Sequence, residues 1–474
     1  MVIIDSRPSP EQALDEQIAA LAQVGPAERC FALSFSCQQY YLPGEPRLRL
    51  LALLVLSRSE ASSSPRIEVA LLPYTPVLAD QVAALPPDRG ALLEFANSSG
   101  APWLSLSDPL ELASVSIPKP WGNEIWYTGI EARGQSAVTA NGLLTPLPWL
   151  LELAPRRLSA GMPRQLILLK ELDPHPAPVF GDLYFEVHRS KLEVYVVTHL
   201  DSGAWPGGVG GVRYGFSPQK RARYASDRAF KRAYLRAVQE YEAVRNKIDA
   251  LLDERRLQEG FSVSAPVPVA MLAGWLADLP PELNEAERQL RETMEVFTAV
   301  RPVRPGDVVT VTPLTPHSLL HGVRVIELQT PDYERQILSF GQKVLNQPRW
   351  DTSEILEEIP LESPIQHPPQ RWVLSPGVSA EQLAQFPSFE VLRIVLDAGV
   401  SLPLARLRRA FSSYGKDANY LLIMGLKGGV SWDQDVNQPL QPGSARLLAS
   451  CCREGHFHTD AGGTFLAAMP REAL

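Results

Sequence analysis

Residues 181–197 read GDLYFEVHRSKLEVYVV, and the fold turns on how this stretch is interpreted. Two runs rich in β-branched and aromatic residues, 183–188 and 192–197, flank Arg189-Ser190 and predict a β-hairpin. Side chains alternate faces along a strand, so Tyr184, Glu186 and His188 share one face. A short loop at Arg189-Ser190 sets Glu186 opposite Glu193. Such a pair holds its Cβ atoms about 5 Å apart, and like charges there are destabilising. A cation between the carboxylates reverses that penalty, with His188 beside it as a third ligand. A solvent-facing antiparallel hairpin produces the same alternation, and the stretch alone leaves both readings open.

A second stretch lies far downstream. Arg304-Pro305-Gly306-Asp307 predicts a turn, residues 308–311 a strand, and Pro313-Leu-Thr-Pro-His317 a rigid loop ending in a histidine. A lone histidine after proline is ordinarily a loop residue. Beside the first stretch, His317 becomes the candidate fourth ligand.

The bulk of the chain sets the frame. Its 474 residues suggest two or three domains, and 45% apolar content supports sizeable cores. A net charge of −8 and a pI near 5.6 argue against a nucleic-acid binder. The 43 prolines and 31 glycines suit a loop-rich β protein. Neither a leader nor an apolar run of membrane-spanning length stands out, and the four cysteines form no CxxC pair. The expectation is a cytoplasmic protein with reduced thiols and no membrane partner.

Residues 1–113 read as an α+β domain of no evident chemistry. Ser9-Pro10 opens a helix expected to end near Gly25, strand-like runs follow at 31–36, 48–57, 67–72 and 91–96, and Glu60–Pro65 is a loop tip. From about residue 114 to 351 the chain reads as a metal-binding β domain. It holds the stretch 147–151, an apolar strand at 165–169 ending at Lys170, and a proline-broken segment, 173–178. The Gly-rich loop 202–211 lacks the strand–GxGxxG–helix context and the P-loop lysine, so it predicts no phosphate cradle. A helical insertion occupies about 216–300, led by a long helix over 218–259 whose basic cluster reads as a solvated face. Residues 352–375 read as a linker, and 376–474 as a smaller β-barrel. There His456 and His458 have strand spacing for a metal pair but no third ligand, and read as surface loop histidines.

The spacing Glu-x-His-x4-Glu at Glu186, His188 and Glu193, followed by a Gly-Asp turn and a Pro-rich loop to His317, resembles the two metal motifs of the cupin barrels. Over about 117–340 the chain resembles the type I mannose-6-phosphate isomerases, zinc-dependent cupin enzymes with a helical insertion between their metal motifs. The resemblance implies a mainly β cupin or jelly-roll barrel, with a weaker echo in the C-terminal barrel and the N-terminal domain outside it. It carries an active-site glutamate to Glu124 in Glu-Ile-Trp-Tyr-Thr-Gly, a lysine to Lys170, and the Lys-x-Glu pair to Lys191 and Glu193. The metal ligands become Glu186, His188, Glu193 and His317; Glu327 and Arg335 complete the site. Three departures stand out. Glu186 replaces the family's glutamine, the loop between His188 and Lys191 is nearly absent, and Tyr184 stands where a phosphate-holding serine is expected. A rival register places the ligands at Asp173 and His175, but Pro174, Pro176 and Pro178 spoil the strand it needs.

In functional terms the resemblance implies a metal-dependent aldose–ketose isomerase acting on a sugar phosphate, with mannose 6-phosphate and fructose 6-phosphate as the pair. One divalent ion is implied, zinc first, with manganese, iron or cobalt as alternatives. Glu327 and Lys191 are candidates for proton transfer, Arg335 for clamping phosphate, and Lys170 and Glu124 for orienting hydroxyls. A non-catalytic metallo-cupin that binds sugar or regulates, and a carboxylate–histidine oxygenase, remain as other readings.

Overall fold

The computed structural model describes residues 1–6, 9–23, 27–58, 65–160, 166–412, 419–433 and 435–471. The first helix ends at Ala22, short of Gly25. Gly25, the loop from Glu60 to Ser64, and the first residues of the runs beginning at Gln165 and Ala418 lie outside the described residues. The chain is mainly β and divides into two compact units, neither contiguous in sequence. One comprises residues 1–115, 126–169 and 368–474; the other comprises 116–125 and 170–367.

The first unit contains a five-stranded sheet whose first pair is parallel, Ile3 against Ala32, and whose other pairs are antiparallel. Residues 91–96 are helical. Asp88 caps a helix over Arg89–Ser98 by accepting from the Ala91 amide, and that cap decides an apolar run which fits strand or helix equally. Residues 147–153 are likewise a helix. Leu110–Ala113 forms a strand between Ala137–Ala140 and Ala445–Leu448 in a nine-stranded sheet. A four-stranded sheet shares one apolar core with it, centred on Leu392, Ile423, Phe457 and Phe465. No sheet among the described residues closes into a barrel: each ends on edge strands rather than returning to its first strand. His456 is exposed and His458 half-buried on the strand His456–Thr459, and neither belongs to a metal-holding group among the described residues.

The second unit carries the candidate site. Its strands, in chain order, are β1 (Val115–Lys119), β2 (Gly122–Trp126), β3 (Leu168–Pro174), β4 (Phe185–Val187), β5 (Glu193–Leu200), β6 (Gly210–Phe216), β7 (Thr298–Val303), β8 (Val308–Val311), β9 (His317–Leu319), β10 (Val323–Gln329) and β11 (Gln336–Ser339). They form a six-stranded sheet, β8-β5-β10-β3-β2-β1, and a five-stranded sheet, β7-β6-β9-β4-β11. Tyr195, Val197 and Val325 of the first share one core with Phe185, Val212 and Ile337 of the second. Between β6 and β7 run helices α1 (Asp227–Gln258), α2 (Val269–Ala277) and α3 (Pro281–Glu295). A short helix over Pro218–Arg221 ends before α1, whose N-terminus Ser226 caps, so the expected continuous helix from 218 is broken. Phe230 and Tyr234 of α1 meet Phe216 edge-on at 5.5 and 5.2 Å, which fixes the helical block against the five-stranded sheet.

The expected hairpin does not form. β4 pairs with β9 and β11, whereas β5 pairs with β8 and β10 in the other sheet. The Glu334 carboxylate accepts from the backbone N–H groups of Arg189 and Ser190, so the connection is satisfied without a ladder beneath it. Glu186 is therefore opposite His317 rather than Glu193.

Candidate metal centre and its ionisable neighbours

Because β4 and β5 belong to different sheets, their inward side chains meet across the core. His188 follows β4 at the crossing, and its Nε2 lies 3.6 Å from Glu186 Oε1 and 3.4 Å from Glu193 Oε1. His317 opens β9 after the loop 313–316, and its Nε2 lies 3.1 Å from Glu193 Oε2. That loop is fixed by the Leu314 amide, which donates to the His188 carbonyl at 2.7 Å, with Leu314 itself at φ +60°. One hydrogen bond thus ties both histidine-bearing segments together. Glu186, His188 and His317 form a group able to hold a divalent cation, and Glu193 touches both imidazoles from the facing sheet.

The donor chemistry fits a metal on three counts. His188 Nδ1 bonds the Glu334 carbonyl at 2.9 Å and His317 Nδ1 bonds the Thr315 carbonyl at 2.9 Å, so each Nδ1 carries the proton. Backbone carbonyls orient metal-binding imidazoles in this way and leave Nε2 to ligate. Both Nε2 atoms, and Glu186 Oε2, are buried without a hydrogen-bond partner, the contact between His317 and Glu193 lacking hydrogen-bond geometry. Bonds of about 2.0–2.1 Å in a tetrahedral site require ligand atoms about 3.3 Å apart, and the three histidine–carboxylate contacts measure 3.1, 3.4 and 3.6 Å.

Electrostatics sharpen the picture. Burial alone would raise the Glu193 carboxyl, but Lys191, with Nζ 3.0 Å away, and the two histidines hold it well below the usual carboxylate range. Tyr195 donates to Glu193 Oε2 at 3.0 Å, and burial pushes its own phenol well above its ordinary value. Burial drives His188 well below the usual imidazole range despite Glu193. Burial also works against a charged His317, but Glu193 outweighs it and raises that group.

A row of ionisable groups continues along the six-stranded sheet. Glu327 and Gln329 sit at alternate positions of β10, opposite Tyr195 and Glu193 of β5. Lys170 of β3 donates to Gln329 Oε1 at 2.6 Å and lies 3.3 Å from Glu327 Oε2. On the outer strands Glu124 of β2 pairs with Lys119 at the end of β1 at 3.1 Å. Burial pushes the Glu327 carboxyl up to about 7, even with Lys170 beside it. Lys170 is raised because Glu327, Glu124 and Glu193 outweigh the burial that would lower it. Arg335, just before β11, lays its guanidinium over the Tyr184 ring at 4.5 Å and donates to Asn346 at 2.9 Å.

The sequence-derived candidates occupy two zones. Glu186, His188, Lys191, Glu193 and His317 gather at the crossing between sheets; Lys170, Glu327 and Glu124 form the adjoining row. Arg335 stands beside Tyr184 at the edge of β11. Tyr195, Gln329 and Lys119 are not singled out by the sequence. The first two lie two residues beyond Glu193 and Glu327 on the same strands, so strand alternation is the signal available for them.

No protein-family model matches the chain, and no curated protein matches it in sequence. Among solved structures, the mannose 6-phosphate isomerase from Bacillus subtilis matches with a TM-score of 0.50 at 13% identity, over 76% of this chain and 99% of that one. A mutant of phosphomannose isomerase from Salmonella typhimurium gives 0.48 at 12% identity over 77% and 99%. A zinc-bound mannose 6-phosphate isomerase gives 0.48 at 12% over 77% and 99%. The likeness to the Bacillus enzyme is one of fold, and the two lower scores carry no weight.

Proposed function

We propose that this protein is a metal-dependent aldose–ketose isomerase on a cupin-like β framework, acting on a sugar phosphate. The interconversion of mannose 6-phosphate and fructose 6-phosphate is the reaction that best suits it. The observation that carries the reading is the adjacency of two constellations: a two-histidine, two-carboxylate cluster with orphaned Nε2 atoms, and a buried Lys170–Glu327–Gln329 row. Glu186, His188, Glu193 and His317 would hold the ion, and zinc suits that donor set. When bound, it supplies Lewis-acid polarisation of the sugar's carbonyl and neighbouring hydroxyl oxygens.

The remaining steps fall to the chain's own side chains. Isomerisation moves a proton between C1 and C2 of the open-chain sugar, and between the two oxygens. Glu327, pushed up to about 7, can both take and return a proton near neutrality. Lys170 holds the carboxylate form of Glu327 in place and, with Gln329, orients sugar hydroxyls. Lys191, beside Glu193, is the second proton carrier. Arg335 receives the phosphate, its guanidinium presented by the Tyr184 ring. The test is a coupled assay of the full chain reconstituted with zinc, manganese, cobalt or iron, with Glu327→Gln beside it. Turnover of mannose 6-phosphate that collapses in Glu327→Gln is the expected result. A fully metal-loaded chain that binds but never converts an aldose phosphate leaves a sugar-binding module as the reading. The presence of Tyr184 in place of a phosphate-holding serine favours that second reading.

A further inference from the structure

The helical insertion, together with residues 178–180 and 341–343, lines an open cavity of about 350 Å³ whose lining includes no residue of the metal cluster. One wall is a face of α1: Arg245, Ile248, Leu252 and Arg256 all line it, at the spacing that stacks residues along a single helix stripe. The wall therefore reads cation, apolar, apolar, cation. Val267 and Leu272 also line it and share one apolar cluster with Ile248 and Leu252. The size falls at the lower end of the range for small-molecule sites.

Three polar side chains of the lining are more than nine-tenths buried and incompletely satisfied. Arg245 and Arg256 leave Nε without a partner, and Gln342 leaves Oε1 without one. A buried polar atom with no partner has given up its hydrogen bonds to water and gained none in return, so such groups point to a ligand that satisfies them. The two ends differ in charge. Arg245 bonds Asp249, which balances its charge, and stands 4.0 Å from Glu287, which Arg291 shares at 3.4 Å. At the other end a single carboxylate, Asp253, serves both Arg256 at 3.1 Å and Lys343 at 2.6 Å. Lys343 is further occupied by the Val263 carbonyl at 3.0 Å, which leaves Arg256 as the donor and one positive charge uncompensated.

We propose that this cavity binds a monocarboxylate with an extended apolar body. Its carboxylate meets Arg256, and its chain lies over Leu252 and Ile248 toward Arg245. The stripe from Arg256 to Ile248 spans about 12 Å of helix, enough for a medium-length acyl chain. A hydroxyl on the body would satisfy Gln342.

Calorimetry on the full chain with octanoate, octylamine and 1-octanol tests the idea. Octanoate should bind saturably, octanol weakly and octylamine not at all. Arg256→Gln should weaken octanoate about ten- to hundredfold, the worth of a charge-assisted hydrogen bond. Leu272→Trp, which fills the cavity, should abolish binding. Should either variant fail to fold, the bromine of 8-bromooctanoate soaked into crystals of the unaltered chain gives an independent reading, expected over Ile248. No saturable heat with octanoate, octylamine binding as well as octanoate, or bromine located elsewhere would each overturn the proposal.

Discussion

The Lys170 ammonium lies 3.3 Å from the Glu327 carboxylate, with both side chains more than nine-tenths buried. Two opposed influences meet there: burial favours neutral Glu327, and the ammonium favours its ionised form. Because Lys170 stabilises the ionised state, removing it must raise the Glu327 pKa further. In the isomerase assay, kcat/KM should rise with pH through a limb near 7. In Lys170→Met that limb should move to higher pH, whatever happens to the maximum. A limb that stays in place would sever the link between these two residues.

The same pair has a consequence for stability. An ordinary glutamate titrates near 4.5, whereas folded Glu327 titrates near 7. Between those values folded Glu327 keeps a proton that an unfolded glutamate has lost. Its contribution to the stability of the metal-free protein should therefore fall as pH rises across that window, and Glu327→Gln should remove that contribution from the dependence. Urea denaturation at several pH values measures it, and parallel curves for the two proteins would count against the buried, raised carboxyl.

Metal retention tests the crossing between the two sheets. His317→Ala and His188→Ala should each purify with little metal, while the unaltered chain carries one ion. Tyr195→Phe removes the hydroxyl that orients Glu193 and should weaken affinity about ten- to hundredfold without unfolding the chain. Elemental analysis and chelator competition read both effects. Equal metal content in all four proteins is the outcome that removes the site.

Glu186→Gln should keep the metal but change which ion supports the best activity. Two carboxylates neutralise a divalent ion and weaken it as a Lewis acid; an amide restores charge and alters hardness. An unchanged ranking of zinc, manganese, cobalt and iron would mean that Glu186 is not a ligand.

Tyr184 presents Arg335, so Tyr184→Leu should raise KM for sugar phosphate about two- to fivefold, the worth of an exposed cation–π contact, with kcat unchanged. Arg335→Ala should raise KM further. Steady-state kinetics with phosphorylated and unphosphorylated sugar separate this from a general loss of packing, which would affect both substrates.

Strand positions and facing are readable from the sequence around Glu186 and Glu193; strand partners are not. A period-2 pattern states which side chains share a face but says nothing about which ladder a strand joins. The short Arg189-Ser190 link suggests a hairpin, whereas Glu334, 144 residues away from Ser190, satisfies its amides and lets the chain change sheets. The apolar run at 91–96 misleads for a related reason: its period is ambiguous, and the Asp88 cap chooses helix. Gln329 and Tyr195 escape notice because an amide and an aromatic residue in a strand look like ordinary filling until their partners are known.

The two compact units exchange the chain repeatedly, at residues 115–116, 125–126, 169–170 and 367–368. This imposes an order on synthesis. Every strand that bears a candidate ligand or a member of the buried row has left the ribosome soon after residue 367 is made. The first unit still lacks residues 368–474 then, including six of the nine strands of its largest sheet. At about 5–20 residues per second, that sheet waits several seconds for its missing strands. A ribosome stalled in that interval would present the unit with the candidate metal site attached to an unfinished one, and the side of Leu110–Ala113 that faces Ala445–Leu448 would be an edge open to whatever chaperone reaches it first.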